Sequence, residues 1–277
     1  MSSPTVRRLQ LGRELRRLRE QAQVSREEAA EELECNLSKI SKIETGRMTL
    51  APAEVKNLVK LYRVPDDEAE QIFAIAREAR KRETFRVPAW VREYVGLEAE
   101  AVEIKTFQMD LVPGLLQTTA YTKAITKAAD PTRNPDEVER LVAIRRERQG
   151  RLEGDDPPRL WVVIDEGALR RVVGGPDVMR EQLGHLLELA KLPRVSLQAL
   201  PFTAGAHPAM GTAFTILQLP EPPGGQVAVL EGLWSADYVD KDQQVSAYTE
   251  VFDGLCRSAL DERGTERLLT ECMGDLR

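Results

Sequence analysis

Apolar side chains recur every three or four positions along the first eighty residues, which is the spacing of amphipathic helices. Leu11, Leu15, Leu18 and Ala22 form one such stripe and predict a first helix over LGRELRRLREQA. Two later stripes predict further helices, one with Leu58, Val59, Leu61 and Tyr62 and one with Ile72, Phe73, Ile75, Ala76 and Ala79. The pattern therefore indicates a helical N-terminal part.

Between these stripes, the stretch VSREEAAEELECNLSKISKIETGR predicts two short helices joined by a tight turn. Ser25 and Glu28 have the spacing of a capping box, in which each side chain bonds the other residue's backbone N–H. Asn36 is a suitable cap for the second helix. The residues predicted to face inward are Ala29, Ala30 and Leu33 on the first helix, and Ile40 and Ile43 on the second.

The outer or leading face of the second helix is then small, polar or basic. Helix pairs of this kind place the N-terminal part of their second helix in the major groove of DNA. Arg26 and Arg47 flank the motif where it would approach the duplex, so we expect them to contact phosphates. The residues expected to contact bases are Leu37, Ser38, Lys39, Ser41 and Lys42.

After residue 103 the pattern mixes short apolar runs with helical stripes. Runs at 160–165, 195–200, 213–219 and 226–231 are rich in β-branched residues and predict strands. Helices are predicted at 137–151, 177–192 and 243–259. We therefore expect an α+β domain with one mostly antiparallel sheet at 104–277, a DNA-binding domain at 1–85, and a linker at 86–103.

Composition adds a division of charge. The 277 residues carry a net charge of −6, but residues 1–64 hold 13 Lys and Arg against 9 Asp and Glu, so this part is +4 and the remainder −10. Positive charge is thus concentrated where phosphates would bind. The three scattered cysteines suggest reduced thiols, and no apolar run suits a membrane span or a signal peptide. We expect a cytoplasmic protein.

Residues from about 6 to 64 resemble the XRE family of helix-turn-helix regulators, which have a lambda-repressor-like fold of five short helices. The resemblance includes the run Ile40-Ser41-Lys42-Ile43-Glu44 followed two positions later by Gly46. It implies a structural ion pair between Arg19, late in the first helix, and Glu44. The chain departs from the family at the turn, where Glu34-Cys35 stands in place of the usual glycine.

The rest of the chain resembles the WhiJ-like regulators of actinobacteria. Four segments carry the resemblance in order: PGLLQTTAYTKA, RRERQGRL, WVVIDEGALRRVVGGPDVMREQL and LPFTAGAHPAMGTAFTIL. Members couple an XRE-type head to a second domain, tend to be encoded beside a small BldB-like protein, and include some described as antitoxin-like. The resemblance implies a regulator controlled by a small protein partner, and it assigns no chemical site.

The second domain shows no pattern typical of an enzyme. His185 lies on a predicted amphipathic helix, His207 lies in an irregular loop, and no nucleophile elbow, phosphate loop or zinc spacing occurs. We expect no catalytic residue, no metal and no cofactor. A small-molecule pocket is an alternative, with candidate lining residues Glu166, Arg170, Phe202, His207 and Phe214. In the competing interpretation Phe214 is a core residue, Arg170 and Arg171 are solvated, and Glu166 caps the next helix.

Together these patterns predict a sequence-specific transcriptional regulator that represses from a roughly palindromic operator on double-stranded DNA. Because one helix-turn-helix reads only a few base pairs, we expect a homodimer, with its interface in the second domain or around residues 67–82. The alternatives are an antitoxin-like module that binds a small protein and represses its own gene, and a regulator that senses a small-molecule effector.

Overall fold

The computed structural model describes residues 4–46, 48–80, 89–154, 156–220, 225–232 and 235–276. The chain divides into two compact units. The first comprises residues 1–100 with 219–225, and the second comprises residues 101–218 with 226–277. Among the described residues, no helix is both long enough and apolar enough to cross a bilayer.

The first unit opens with five helices in its described part, the number expected for the head. They are α1 (Pro4–Gln21), α2 (Arg26–Glu32), α3 (Leu37–Glu44), α4 (Pro52–Leu61) and α5 (Asp66–Ala79). Their apolar stripes meet in one core whose largest fully buried members include Leu15, Ile40, Leu50, Leu58 and Ile72. The periodicity of the sequence thus corresponds to a single buried cluster.

The segment expected to be a linker contains a sixth helix, α6 (Ala89–Glu100). This helix packs against α1 and belongs to the first unit. Val95 and Leu97 are buried, which explains why the segment is ordered as a helix. The division between the units falls after Glu100.

The second unit combines strands with helices, which confirms the α+β class. Its strands are β1 (Glu103–Gln108), β2 (Arg159–Asp165), β3 (Val195–Leu200), β4 (Phe214–Gln218), β5 (Gln226–Glu231) and β6 (Ala236–Val239). Its α-helices are α7 (Thr119–Ala129), α8 (Pro135–Gln149), α9 (Glu166–Arg170), α10 (Pro176–Leu189), α11 (Asp242–Ser258) and α12 (Glu262–Asp275). Short 3-10 helices cover Gly114–Leu116, Gly150–Glu153 and Phe202–Ala204.

The sheet is mixed, so the expectation of a mostly antiparallel sheet was wrong. Over the described residues it has six strands in the order β3-β2-β1-β4-β5-β6. β1 pairs with β2 and β2 with β3 in parallel, whereas β1–β4, β4–β5 and β5–β6 are antiparallel. Parallel neighbours require long crossovers, and here helices α7 to α10 provide them.

The strand that joins the two halves of the sheet, β1, was missed from the sequence. Its residues EIKTFQ include four that are charged or polar, so no apolar run marks it. The hydroxyl of Thr106 is buried and lies 2.9 Å from that of Thr215 on β4, so its polarity is satisfied inside the sheet. Phe107 from β1 then packs with Phe214 and with Phe252 of α11 in the second core.

Candidate nucleic-acid interface

Both helices of the motif begin at the capping residues that the sequence predicts. Ser25 Oγ accepts a hydrogen bond from the backbone N–H of Glu28 at 3.1 Å, and Glu28 Oε2 accepts one from the N–H of Ser25 at 2.7 Å. Asn36 Oδ1 accepts the N–H of Lys39 at 3.0 Å, which starts α3. These bonds fix where each helix begins.

The turn between α2 and α3 keeps a left-handed residue without glycine. Glu34 has a φ of 47°. The N–H of Glu34 donates to the carbonyl of Glu31 at 3.0 Å, and the N–H of Cys35 donates to the carbonyl of Ala30 at 2.9 Å. These paired bonds form a Schellman-type helix end, which a residue at positive φ permits. The departure at Glu34-Cys35 therefore leaves the turn geometry intact.

The two faces of α3 differ sharply in exposure. Ile40 and Ile43 are buried in the core of the head. Leu37 is 46% exposed, and Ser38, Ser41 and Lys42 are exposed as well. The free face of α3 thus offers one apolar side chain, two hydroxyls and one ammonium group to a duplex.

Lys39 is placed differently from the other residues expected to contact bases. Its Nζ lies 2.5 Å from Glu54 Oε1 on α4, and its side chain is partly buried. The hydrogen bond to Glu54 raises the pKa of Lys39. Lys39 therefore ties α3 to α4 in this structure, which leaves Lys42 as the exposed cation of α3.

Glu44, the last residue of α3, is buried between two arginines. Arg19 Nε donates to Glu44 Oε1 at 2.5 Å, and Arg26 Nε donates to Glu44 Oε2 at 2.9 Å. Arg19 also donates to the carbonyl of Val24 at 2.9 Å. Removing one partner of a buried ion pair costs roughly 3–5 kcal/mol, and loss of Glu44 would leave the buried Arg19 without this carboxylate. Burial, with a smaller contribution from the charge of Glu44, raises the pKa of Tyr62 far above its usual range.

The two arginines expected to contact phosphates have different positions. The side chain of Arg26 is 44% exposed while its Nε is held by Glu44, so its guanidinium is anchored at the surface. Arg47 lies outside the described residues. The arrangement places one oriented cation at the start of α2, in the same head as the exposed face of α3.

Two glycines allow α1 to cross the end of α3 closely, and sequence reasoning missed their role. A Cβ on Gly12 would lie 2.7 Å from the carbonyl oxygen of Glu44 and would clash with that of Ile43. Gly46 has a φ of 70°, and a Cβ there would lie 2.8 Å from Leu9 Cα. The signals in the sequence were a glycine inside the stripe of the first helix and Gly46 in the run that resembles the XRE family.

In the second unit, three of the five candidate pocket residues form one cluster. Arg170 Nε donates to Glu166 Oε1 at 2.6 Å, and its other nitrogens donate to Glu271 at 2.7 Å and Asp275 at 2.9 Å on α12. Glu166 Oε2 accepts the N–H of Phe202 at 2.7 Å. Arg170 therefore holds α9 to α12 through carboxylates instead of being solvated.

Phe214 and His207 have other neighbours. Phe214 is a buried core residue that packs against Phe107, and the ring of His207 meets Phe107 edge-on with centroids 5.5 Å apart. His207 Nδ1 is buried without a hydrogen-bond partner among the described residues. The cap of α9 is Asp165, whose side chain accepts the N–H of Gly167 at 2.7 Å, so the expectation that Glu166 caps this helix was wrong.

Comparison with known families assigns both units. Residues 10–72 match a family described as a helix-turn-helix domain. Residues 91–271 match the family described as a domain of unknown function, DUF5753. Neither a curated protein nor a solved structure matches the chain. The second match spans more than half of the chain. The chain therefore belongs to the DUF5753 family, and a helix-turn-helix DNA-binding domain precedes the DUF5753 domain.

Proposed function

We propose that this protein is an XRE-type, sequence-specific transcriptional repressor that binds a palindromic operator as a homodimer. The observation that carries the proposal is the free face of α3, where Leu37, Ser38, Ser41 and Lys42 are exposed. The opposite face is fixed by Ile40, Ile43 and Glu44 in the core. A rigid helix with a small polar surface suits base reading in the major groove.

Lys42 is the residue expected to contribute most to sequence discrimination. An exposed lysine on α3 can donate to O6 and N7 of guanine, and loss of a good base contact costs roughly 1–3 kcal/mol. Arg26, held by Glu44, is proposed to contact a phosphate, where its charge adds affinity without sequence preference. Arg47 is proposed for the same role.

The test begins with selection of bound fragments from random DNA by the full chain. Lys42→Ala should then weaken binding to the selected operator by about tenfold or more and change binding to random DNA far less. Lys127→Ala is the matched control, because it removes an equal charge from an exposed position in the second unit. Equal losses on both DNAs would assign Lys42 to a phosphate, and failure to select any sequence would contradict the proposed function.

Control by a small BldB-like protein through the second unit is part of the same proposal, with no reaction catalysed there. Apolar side chains exposed beyond the carboxyl ends of the parallel strands support it. Phe202 is 60% exposed after β3, Leu111 is partly exposed after β1, and Met210 is 65% exposed in the loop before β4. These three side chains are proposed to form one contiguous apolar surface, since contiguous exposed apolar patches mark protein-binding sites.

An antitoxin-like role would use the same surface, with DNA binding serving autoregulation. Titrating the neighbouring small protein into the operator-binding measurement separates the roles. A shift in operator affinity supports partner control, whereas tight binding that leaves the operator affinity unchanged favours an antitoxin-like module. The small-molecule sensor is less well supported, because Arg170 and Glu166 are engaged with each other and with α12.

A further inference from the structure

A groove of about 1090 Å³ lies between α4 and α5 in the first unit. One wall comes from α4, with Pro52, Ala53 and Lys56, and the other from the outward side of α5. At the centre of that side lie Phe73, which is half-buried, and Ala74, which is exposed. The groove therefore presents an apolar centre on a helix whose other exposed positions are charged, apart from Gln71.

The charges that line the groove on α5 are divided between its two ends. Asp67 and Glu70 lie in the first half, and Arg77 and Arg80 lie at the C-terminal end. With a rise of 1.5 Å per residue, Glu70 and Arg77 are about 10 Å apart along the axis, and Asp67 and Arg80 about 20 Å. Their own helix cannot bring them together, and among the described residues none of these four side chains forms an ion pair.

The four charges are related by a simple symmetry of position. Glu70 and Arg77 are equally distant from the midpoint between Phe73 and Ala74, and so are Asp67 and Arg80. An antiparallel copy of α5, centred on that midpoint, would place each acidic residue opposite a basic one. The large Phe73 would face the small Ala74 at the centre.

We propose that α5 of a second copy of this chain occupies the groove in antiparallel orientation about a two-fold axis at residues 73 and 74. Such an interface is isologous, so the Glu70–Arg77 and Asp67–Arg80 pairs each form twice. The inference rests on the proposed homodimer and assigns its interface to the head. Charge complementarity of α5 with itself identifies the occupant as another copy.

The helix dipole offers a second reason for acidic residues at the start of α5 and basic residues at its end. That effect falls off within the first and last turns, and Glu70 lies beyond the first turn. The two explanations predict different results when charges are exchanged, because the dipole acts within one chain and the pairing acts between copies.

The experiment uses two full-length variants and their mixture. The first, Asp67→Lys with Glu70→Lys, makes this side of α5 wholly basic, and the second, Arg77→Glu with Arg80→Glu, makes it wholly acidic. Self-association is measured by sedimentation over a dilution series, and circular dichroism checks that each variant is folded. Like charges across the two-fold should raise the dimer dissociation constant at least about tenfold in each variant alone. The mixture should form heterodimers close to wild-type affinity, since opposite charges then face each other.

Several results would overturn the pairing. They are a wild-type chain that stays monomeric throughout the dilution series, variants that dimerise as tightly as the wild type, or a mixture that associates no better than its components. If one of the two variants fails to fold, the wild-type dilution series still tests the pairing. So does a single chain that carries all four substitutions, which should dimerise. The outcome is separable from the proposed function, because a dimer that selects no DNA sequence contradicts only the DNA-binding role.

Discussion

At the scale of single residues, the head depends on a few positions where atoms approach unusually closely. Gly12 touches the backbone at the end of α3, and Glu44 at that same end accepts hydrogen bonds from Arg19 and Arg26. The C-terminal end of α3 is thus fixed by backbone contact and by charge. The orientation of the free face of α3, the proposed reading surface, therefore depends in part on Gly12, Glu44 and Arg19, which are not themselves expected to touch DNA.

The close approach at Gly12 gives a testable contrast with a second helical glycine. Gly12→Ala should destabilise the first unit by roughly 1–3 kcal/mol or more, because the new methyl group meets backbone that cannot rotate away. Gly184→Ala on α10 is the matched control, since its Cβ would meet only the end of Met273 at 3.9 Å. That change should stabilise the second unit by about 0.5–1 kcal/mol. Thermal unfolding of both variants measures the difference, and equal effects would contradict the close approach.

At the scale of elements, three helices of the head end in the same way without glycine. Gln23, Glu34 and Arg63 follow α1, α2 and α4 with φ of 57°, 47° and 54°. Each is followed by a residue that packs against the core, namely Val24, Cys35 or Val64. The burial of that next residue explains why the chain holds a left-handed conformation at an ordinary side chain.

We expect glycine to relieve this strain at all three positions. A left-handed backbone conformation costs an L-residue roughly 1–2 kcal/mol. Glycine avoids this strain, but its greater conformational freedom in the unfolded chain cancels about half of the gain in stability. Gln23→Gly, Glu34→Gly and Arg63→Gly should therefore each raise the free energy of unfolding by about 0.5–1 kcal/mol. The controls are the corresponding alanine variants, which remove the side chain but keep Cβ and should give no such gain. Denaturant unfolding distinguishes them, and a loss of stability in the glycine variants would refute the strain.

At the scale of the whole molecule, the chain divides into two units, and the described residues form separate core clusters in the head and around the sheet. The first unit carries the exposed cationic face of α3, whereas the second buries a mixed sheet under α11. The expected division of function between a DNA-binding head and a regulatory unit is consistent with this separation. Residues 101–277 hold 20 Lys and Arg against 27 Asp and Glu, a balance of −7, which would also limit adhesion of this part of the chain to DNA.

Stability of the second unit should depend on pH through His185 of α10. Burial lowers the pKa of His185, and the nearby charges of Glu181 and Glu153 only partly oppose this. Between the unfolded value of about 6.5 and the lower folded value, the unfolded chain binds more protons, so stability falls as pH decreases. His185→Gln should remove this dependence. Unfolding measured from pH 8 to pH 5 tests this dependence. The stability of the variant should rise relative to that of the wild type below about pH 6.5, and a constant difference would contradict a lowered pKa at the half-buried His185.

The helices of the head and the exposed face of α3 could be predicted from the sequence because local rules determine them. Capping by Ser25 and Asn36 acts within three residues, and a stripe such as Leu11 to Ala22 needs only helical periodicity. Only the tertiary structure decided which charges are free: Lys39 is bound to Glu54, fifteen residues away, and Arg26 to Glu44. It likewise decided the mixed sheet, because β1 is polar in sequence and becomes a central strand only when β2 and β4 supply its partners. Such pairings depend on residues distant in the chain, which periodicity and composition do not report.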